Sequence, residues 1–383
     1  MIPITKPTIN KLEFKFLKQT LKSRILTDGF FQHKTEKLIK KHIKSKFVAL
    51  THSCTAALEI SAILINLKKD DEVIMPSYGY VSIANAVLLR GAKPVFVEIN
   101  PHDLNISYED IKKKTNKKTK AIYVIHYAGN SCEIKKISNY AKKNKIILVE
   151  DAAHAFLGKF KKKYLGTFGD IGVFSFHETK NIVAGQAGCI SINNSKFIKR
   201  ANFILDKGTD RRNFIKNYKK KIISSKNNKK FYSWVDLGSE YRAPEVSSAL
   251  VYAQLMKVKK IQDLRKKNWN IFKNLIENQK TNKFYLIKPG PNTRSSYHLF
   301  VVIFKNLKLA NKFKSFMQSK NVAATFHYVP LHKSKMGKKI CKYKLSVTEN
   351  IYNRVVRLPL FPDMTKKEIN KIASLIKIFL KIT

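Results

Sequence analysis

Seven short apolar runs precede residue 195, and helical patterns separate several of them. The runs are Phe47–Ser53, Glu72–Pro76, Lys93–Ile99, Lys120–Tyr127, Ile146–Ala152, Asp170–Phe176 and Gly188–Asn193. Thr55–Leu67, Val81–Leu89 and Cys132–Lys145 carry the helical patterns between them. A strand covered on both faces reads as a nearly unbroken apolar run, and parallel neighbours need a crossover between them. This rhythm predicts an α/β fold, with a large, mostly parallel, seven-stranded sheet covered by helices on both faces. Ahead of it, two basic helical stretches, roughly 11–22 and 34–44, flank a turn at Asp28–Gly29.

Beyond the last run the pattern changes. Lys196–Lys207 reads as a helix closed by Gly208. Arg211–Trp234 is basic, Asn-rich and without a clean period, and reads as a long surface loop. A helical pattern from Ala243 to about Asn278 bridges to a smaller C-terminal α+β domain. That domain holds strands at Ser296–Phe304 and Ala323–Val329, a helix at Ala310–Lys320, and helices near 348–355 and 366–381. In the last helix Ile369, Ile372, Leu375, Ile376, Phe379 and Leu380 share one face, a stripe for docking on a core. The expected domains are 1–245 and 246–383, fused without a Pro/Gly/Ser-rich linker.

The net charge of +49 invites a nucleic-acid partner. The composition argues against a specific one. Of the 75 basic residues only 10 are Arg, the residue suited to bidentate recognition of phosphate and base edges, and the 65 Lys are scattered. Lys, Ile, Asn and Phe are abundant and share codons built from A and T, so drift toward an A+T-rich genome accounts for the charge. Cys54, Cys132, Cys189 and Cys341 lie far apart with no CxxC, giving neither a disulfide framework nor a zinc site. The opening MIPITKPTINKLEF lacks an apolar leader core. The apolar stretch Ala56–Leu67 is too short to span a bilayer and is broken by Glu59. A cytoplasmic protein is the expectation.

Two runs carry the chemistry. VEDAAHA (Val149–Ala155) reads as a buried strand ending in an acid, Asp151. FSFHETKN (Phe174–Asn181) reads as a strand end followed by a loop with one lysine, Lys180, whose neighbours are not basic. A strand-end carboxylate and a loop lysine suit pyridoxal phosphate. The lysine holds the cofactor's aldehyde as a Schiff base, and the acid keeps the pyridine nitrogen protonated. THSCTAALEI (Thr51–Ile60) opens a helix directly after the first strand, where free N–H groups and the Thr55 hydroxyl could hold an anion, although ordinary capping explains it as well. Tyr78 or Tyr80, at the end of the second strand, could stack on a flat ring or simply pack. His154 lies three residues beyond Asp151.

In order and spacing these runs, with DEVIMPSYGYVSIANAVLLRGAKPVFVEI, IHYAG, KGTDR, YSWVDLGS, FHYVPLH and RLPLF, resemble the DegT/DnrJ/EryC1/StrS sugar-nucleotide aminotransferases over essentially the whole chain. The resemblance implies the type I aminotransferase fold and pyridoxal 5'-phosphate as cofactor. It implies Lys180 as the catalytic lysine and proton shuttle, Asp151 on the ring nitrogen, Tyr80 stacked on the ring and His154 at the ring hydroxyl, where many members have Gln. Thr55, Ala56 and Ser175 would hold the cofactor phosphate, and His327, Tyr328 and His332 would border the sugar-nucleotide pocket. It further implies a homodimer that takes an amino group from glutamate and delivers it to dTDP-4-keto-6-deoxyglucose for surface polysaccharide. Relatives that act as dehydratases carry His in place of the lysine, so Lys180 favours transamination over that alternative. A degenerate, anion-binding relative is the other alternative. An NAD-binding fold would need GxGxxG after the first strand, and HSCTAAL is not that.

Three departures stand out. AGQAG (Ala184–Gly188) replaces the usual Glu-Gly-Gly ending, with Gln186 and Ala187 behind the expected cofactor. Glu240 stands where an Asn commonly reaches the neighbouring subunit's phosphate, so either it turns away or that contact is lost. The stretch 211–234 is longer than usual.

Overall fold

Each of the seven apolar runs forms a strand of one sheet. In the computed structural model, which describes residues 1–212, 214–215 and 231–383, the strands are β1 (Phe47–Thr51), β2 (Glu72–Pro76), β3 (Lys93–Val97), β4 (Thr119–Ile125), β5 (Ile147–Asp151), β8 (Ile171–Ser175) and β9 (Gly188–Ile192). Their order is β1-β9-β8-β5-β4-β2-β3. Only β9 runs antiparallel to its neighbours, β1 and β8. Between β5 and β8 a small hairpin, β6 (Lys159–Phe160) and β7 (Lys163–Tyr164), pairs with β11 (Thr293–Arg294).

Side chains alternate across the sheet, so each strand feeds two cores. Val73, Met75, Tyr123, Val149, Ile171 and Val173 face one core, shared with helices α3 (Cys54–Leu64), α4 (Ser82–Leu88) and α7 (Ile198–Ile204). Ile74, Val97, Ile122, Leu148 and Phe174 face the other, shared with α2 (Phe30–Ile43) and α6 (Ile134–Lys143). The helix Glu245–Met256 packs on α1 (Lys11–Ser23) and α2, and Val251, Leu255, Val258 and Ile261 join that second core.

The helix Val258–Glu277 then leaves the sheet, and Trp269, Phe272 and Ile276 enter a third core. There a three-stranded antiparallel sheet, β10 (Phe284–Leu286), β12 (Phe300–Phe304) and β13 (Val355–Leu358), lies under the helices Leu307–Ser319 and Lys366–Ile382. The rings of Phe304, Phe313 and Phe379 meet here, Phe313 at 5.0 Å from each of the other two. The start of the chain crosses to this unit: Ile2 bridges Val322 and Ile4 O accepts from Leu360 N–H at 3.1 Å.

The sequence expectations differ from the structure in a few places. Ala323–Val329 is extended chain with a single bridge, Thr325 to Arg357, not a strand. It leaves Phe326 and Val329 about half exposed and spends His327 and Tyr328 on a cavity wall. The helix expected near 348–355 ends by Arg354, because β13 begins at Val355. A short helix at Tyr108–Lys114 (α5) has only Ile111 buried, too little apolar signal to show in the sequence. The helix after β9 ends at Ile204, and the turn that follows closes at Gly208, φ 75°, whose N–H bonds Phe203 O at 2.8 Å. The long loop expected at 211–234 falls largely outside the described residues. No described helix is long and apolar enough to cross a membrane.

Candidate active site

The alternation that builds the α3-side core also aims the site. Val149 and Val173 face α3, and two residues further along their strands Asp151 and Ser175 share that face at the strands' C-terminal ends. Glu150 therefore points the other way and is fully buried. Its Oε1 accepts from Phe168 N–H and Gly169 N–H, both at 2.6 Å, and its Oε2 from Gly166 N–H at 2.8 Å and His126 Nε2 at 2.9 Å. That carboxylate ties the segment leading into β8 to β5, and so fixes Ser175 relative to Asp151.

The third component is the start of α3. Ser53 caps it, its Oγ accepting from Ala56 N–H at 3.0 Å. Cys54 and Thr55, the first helical residues, have no carbonyl a turn earlier in the helix to bond, which leaves an anion-attracting end. Thr55 Oγ1 meets Ser82 Oγ of α4 at 2.7 Å. β9 passes very close. A Cβ on Gly188 would sit 2.5 Å from Cys54 N and 2.6 Å from the Ser53 carbonyl carbon. Gly188→Ala must push the helix start away, and we expect urea melts to show a loss of about 1–3 kcal/mol.

The lysine loop leaves β8 and returns to β9. It is closed by Phe176 N–H to Ala187 O and Ala184 N–H to Phe176 O, both at 2.8 Å, and by Glu178 N–H to Gly185 O at 2.9 Å. Within it Lys180 N–H bonds His177 O at 2.9 Å. Asn181, next to the lysine, donates from Nδ2 to Ser296 O at 2.7 Å, and its Oδ1 meets His298 Nδ1 at 2.9 Å. The loop is thus bolted to the C-terminal unit. Arg265, fully buried, holds His298 from behind through its carbonyl at 3.2 Å, and burial pushes its guanidinium down to about 9.

These parts enclose a cavity of about 430 Å³. It brings together Thr55, Asp151, His154, Ser175 and Lys180, with Tyr80, His327 and Tyr328 along the same wall. Ala56 is outside it, buried, with its N–H already given to Ser53 Oγ. His332 is outside as well, buried between Ser77 Oγ at 2.6 Å and Glu349 Oε1 at 3.1 Å. Tyr78 packs its ring 5.4 Å from Tyr127. Tyr80 stands 62% exposed, 6.3 Å from the Tyr328 ring.

Electrostatics tune the wall. Burial raises the Asp151 carboxyl above its usual range, countered by the Ala153 N–H at 3.0 Å and by Lys180 and His126. Lys180 opens onto the cavity and is partly exposed there. Burial pushes it down to about 8, while Cys54 and Asp151 pull it back up. Burial, then the charge of Lys180, holds His154 neutral. His154 Nε2 faces Tyr328 OH at 3.4 Å, and Nδ1 is buried without a partner among the described residues. Its ring lies 4.5 Å from His298 and 5.8 Å from His327, both also held neutral by burial.

Residue-by-residue reading of the sequence missed His298 and Arg357, which share this wall. His298 sits in a stretch that reads as plain strand. Arg357 was in view only as part of RLPLF. Gln186 and Ala187 do border the cavity, and Glu240 pairs with Lys207 across the chain, its carboxylate directed at that lysine.

The chain was compared with known proteins. A model of the DegT/DnrJ/EryC1/StrS aminotransferase family matches residues 7–377. The Methanocaldococcus jannaschii protein MJ1066 is 30% identical, over 98% of this chain and 97% of its own length. The GDP-perosamine synthase of Vibrio cholerae is 26% identical over 98% of each chain. The UDP-4-amino-4,6-dideoxy-N-acetyl-beta-L-altrosamine transaminase of Campylobacter jejuni is 28% identical over 96% of this chain and 94% of its own. Among solved structures, the aminotransferase TlmJ from Streptoalloteichus hindustanus superposes with a TM-score of 0.90 at 23% identity, covering 100% and 99% of the two chains. Spr1654 from Streptococcus pneumoniae, in its PLP form, gives 0.89 at 20% identity with the same coverage. The fold is that of the type I pyridoxal-phosphate-dependent aminotransferases. With a family match over nearly its full length and a relative at 30% identity, the chain belongs to the DegT/DnrJ/EryC1/StrS aminotransferase family.

Proposed function

We propose that this chain is a pyridoxal-phosphate-dependent aminotransferase that moves an amino group from glutamate to the C4 ketone of a nucleotide-linked keto sugar. The acceptor we assign is dTDP-4-keto-6-deoxyglucose and the product dTDP-4-amino-4,6-dideoxygalactose, destined for surface polysaccharide. One observation carries the proposal: a lysine and a carboxylate share one cavity with the open start of a helix.

The residues present fit the cofactor. Asp151 is a buried acid with one N–H partner, suited to a protonated ring nitrogen. His154 keeps an unused, buried Nδ1 for the ring hydroxyl. The N–H groups of Cys54 and Thr55, with the hydroxyls of Thr55 and Ser175, suit a phosphate. Tyr80, at the mouth, would cover the ring, and Lys180 Nζ would be the point of covalent attachment. When bound, the cofactor supplies an electron sink for the carbon that bears the amino group.

The chain's own groups handle binding and protons. Lys180 Nζ, held at about 8, is close enough to neutrality to take the donor's α-proton and to return a proton to the acceptor's C4. Asn181 and His298 hold the lysine loop in register while it does so. The neutral imidazole of His327, bonded at Nδ1 to Tyr127 OH at 3.0 Å, and the Tyr328 hydroxyl border the sugar. His332 supports that segment from outside through Ser77 and Glu349. The balance is glutamate plus keto sugar giving 2-oxoglutarate plus amino sugar.

Relatives named for GDP- and UDP-linked amino sugars support the substrate class. The proposal includes a cytoplasmic homodimer, supported by exposed apolar side chains at Tyr80, Val81, Leu89 and Leu237. The acceptor is tested by incubating holoenzyme and glutamate with dTDP-, GDP- and UDP-linked 4-keto-6-deoxy sugars and solving the products by NMR. Amination of the dTDP sugar at C4 with galacto configuration is expected. Turnover confined to another nucleotide, or amination at C3, overturns the assignment.

The depressed lysine also predicts a pH profile. Only the neutral amine attacks an aldehyde, so the rate at which apoprotein captures pyridoxal phosphate, read as growing visible absorption, rises with pH. Its midpoint is expected at about 8, against 10.5 for an ordinary lysine.

A further inference from the structure

The contact between Asn181 and His298 settles which nitrogen of that imidazole carries the proton. Asn181 Nδ2 donates to Ser296 O at 2.7 Å, and a carbonyl only accepts. The other end of the amide, Oδ1, therefore faces His298 Nδ1 at 2.9 Å, and an acceptor there requires Nδ1 to be the donor. His298 is 5% exposed and is kept uncharged, chiefly by burial. A neutral ring with its proton on Nδ1 leaves a bare lone pair on Nε2. That nitrogen hydrogen-bonds no described residue, and it is not sealed off from the cavity that His298 lines. His298 thus presents an acceptor to the cavity. It is held from behind by Asn181 and, through its carbonyl, by Arg265 at 3.2 Å.

Three other groups of the wall already have assignments. Asp151 meets the ring nitrogen and His154 Nδ1 the ring hydroxyl in the proposed cofactor site, while His327 Nδ1 bonds Tyr127 OH at 3.0 Å. His298 stands near the reacting carbon. Asn181 directly follows Lys180 in the chain, and the charge of Lys180 is felt at the imidazole. In the acceptor sugar the C4 ketone is flanked by C3, which bears a hydroxyl, and by C5, which bears the methyl carbon. Only the hydroxyl can donate to Nε2. In glutamate the reacting carbon is flanked by a carboxylate and a methylene, and neither donates at neutral pH.

We propose that His298 is a specificity-determining residue for the sugar half of the reaction, its Nε2 accepting a hydrogen bond from the hydroxyl on the carbon next to the ketone. This rests on the reading of the chain as a keto-sugar aminotransferase. A buried acceptor left without its donor costs more than the bond itself gains, so the site rejects a sugar that lacks the hydroxyl. The same bond fixes which way the sugar ring lies, and so which face of C4 meets Lys180.

The test uses holoenzyme of wild type, His298→Asn and His298→Gln, bleached with glutamate and then freed of it. Return of the visible band is followed with the 4-keto-6-deoxy sugar nucleotide that restores it fastest, and with the same compound lacking the C3 hydroxyl. His298→Asn keeps a donor where Nδ1 stood and has nothing at Nε2, whereas His298→Gln reaches the place of Nε2 with its amide. Wild type should prefer the hydroxyl-bearing sugar by about 10-fold or more in second-order rate. His298→Asn should bring that ratio to within about twofold of unity, and His298→Gln should recover part of it. The readout is a ratio within each protein, so a general loss from a disturbed lysine loop cancels. A wild type that takes both sugars equally, or a His298→Asn variant that keeps the wild-type ratio, overturns the assignment. So does a His298→Asn variant whose visible band is already shifted before glutamate is added, which would put Nε2 on the cofactor. A wild type without the band, or whose band no keto sugar restores, would instead sink the aminotransferase reading itself.

Discussion

Lys180→Ala should abolish amino transfer, by at least about 10⁴-fold in kcat/KM, while the protein remains folded. The same side chain makes the covalent attachment and moves the proton, so a purified variant mixed with pyridoxal phosphate should show no lysine-dependent visible band. Its stability should move the other way. The folded lysine titrates at about 8 and the unfolded one near 10.5. Below pH 8 both forms are protonated, and the folded state bears the full cost of a desolvated ammonium. Between 8 and 10.5 the unfolded chain binds the extra proton, so stability rises with pH and the cost fades. At pH 7 the apo variant should therefore melt at or above the wild-type temperature, with the gain shrinking as pH rises past 8. Activity loss accompanied by a lower melting temperature would instead mean that Lys180 is structural.

Glu150→Gln should be the most damaging conservative change to the fold. All four partners of this carboxylate are donors. Three are backbone N–H groups, and the fourth is His126, whose Nδ1 accepts from Cys132 N–H at 3.4 Å and so leaves Nε2 as the donor. An amide has the same shape but presents an NH₂ to one side, where donors would face donors. We expect a loss of about 3–5 kcal/mol in denaturant melts. The freed loop at 165–169 would also loosen the placement of Ser175, so cofactor retention should weaken more than Lys180 chemistry. Glu150→Asp keeps the charge but retracts it, and should fall between the two. A neutral outcome for Glu150→Gln would show that the backbone donors are satisfied in some other way.

Much of this was legible in the chain because burial leaves a strong mark. The seven strands are short, apolar on both faces and separated by turns or helices, so each was visible within a few residues. Lys180 was visible for the opposite reason: in a chain with 65 lysines, one set among Thr179, Asn181 and small residues is out of pattern. What stayed hidden depends on contacts far apart in sequence. Arg357 is one of ten arginines, and nothing local says that it lines a cavity. Glu150 sits beside the acid that drew attention, but its importance appears only when residues 165–169 fold back onto it. His298 acquires meaning through Asn181, 117 positions away. The segment 323–329 has the composition of a strand, yet its side chains are used on the cavity rather than in a ladder. Ala56 and His332 show the converse. The family resemblance implies a site role for both, while their polar groups are already committed to Ser53, Ser77 and Glu349.

The central claim is that Lys180 and Asp151 form a working transamination site with glutamate as donor. It is tested most directly by the visible spectrum of the purified protein loaded with pyridoxal phosphate, recorded before and after glutamate. The account predicts a yellow band that depends on Lys180, is bleached by glutamate with release of 2-oxoglutarate, and returns when a 4-keto sugar nucleotide is added. A wild-type protein that forms no such band, or whose band glutamate leaves unchanged, would contradict it.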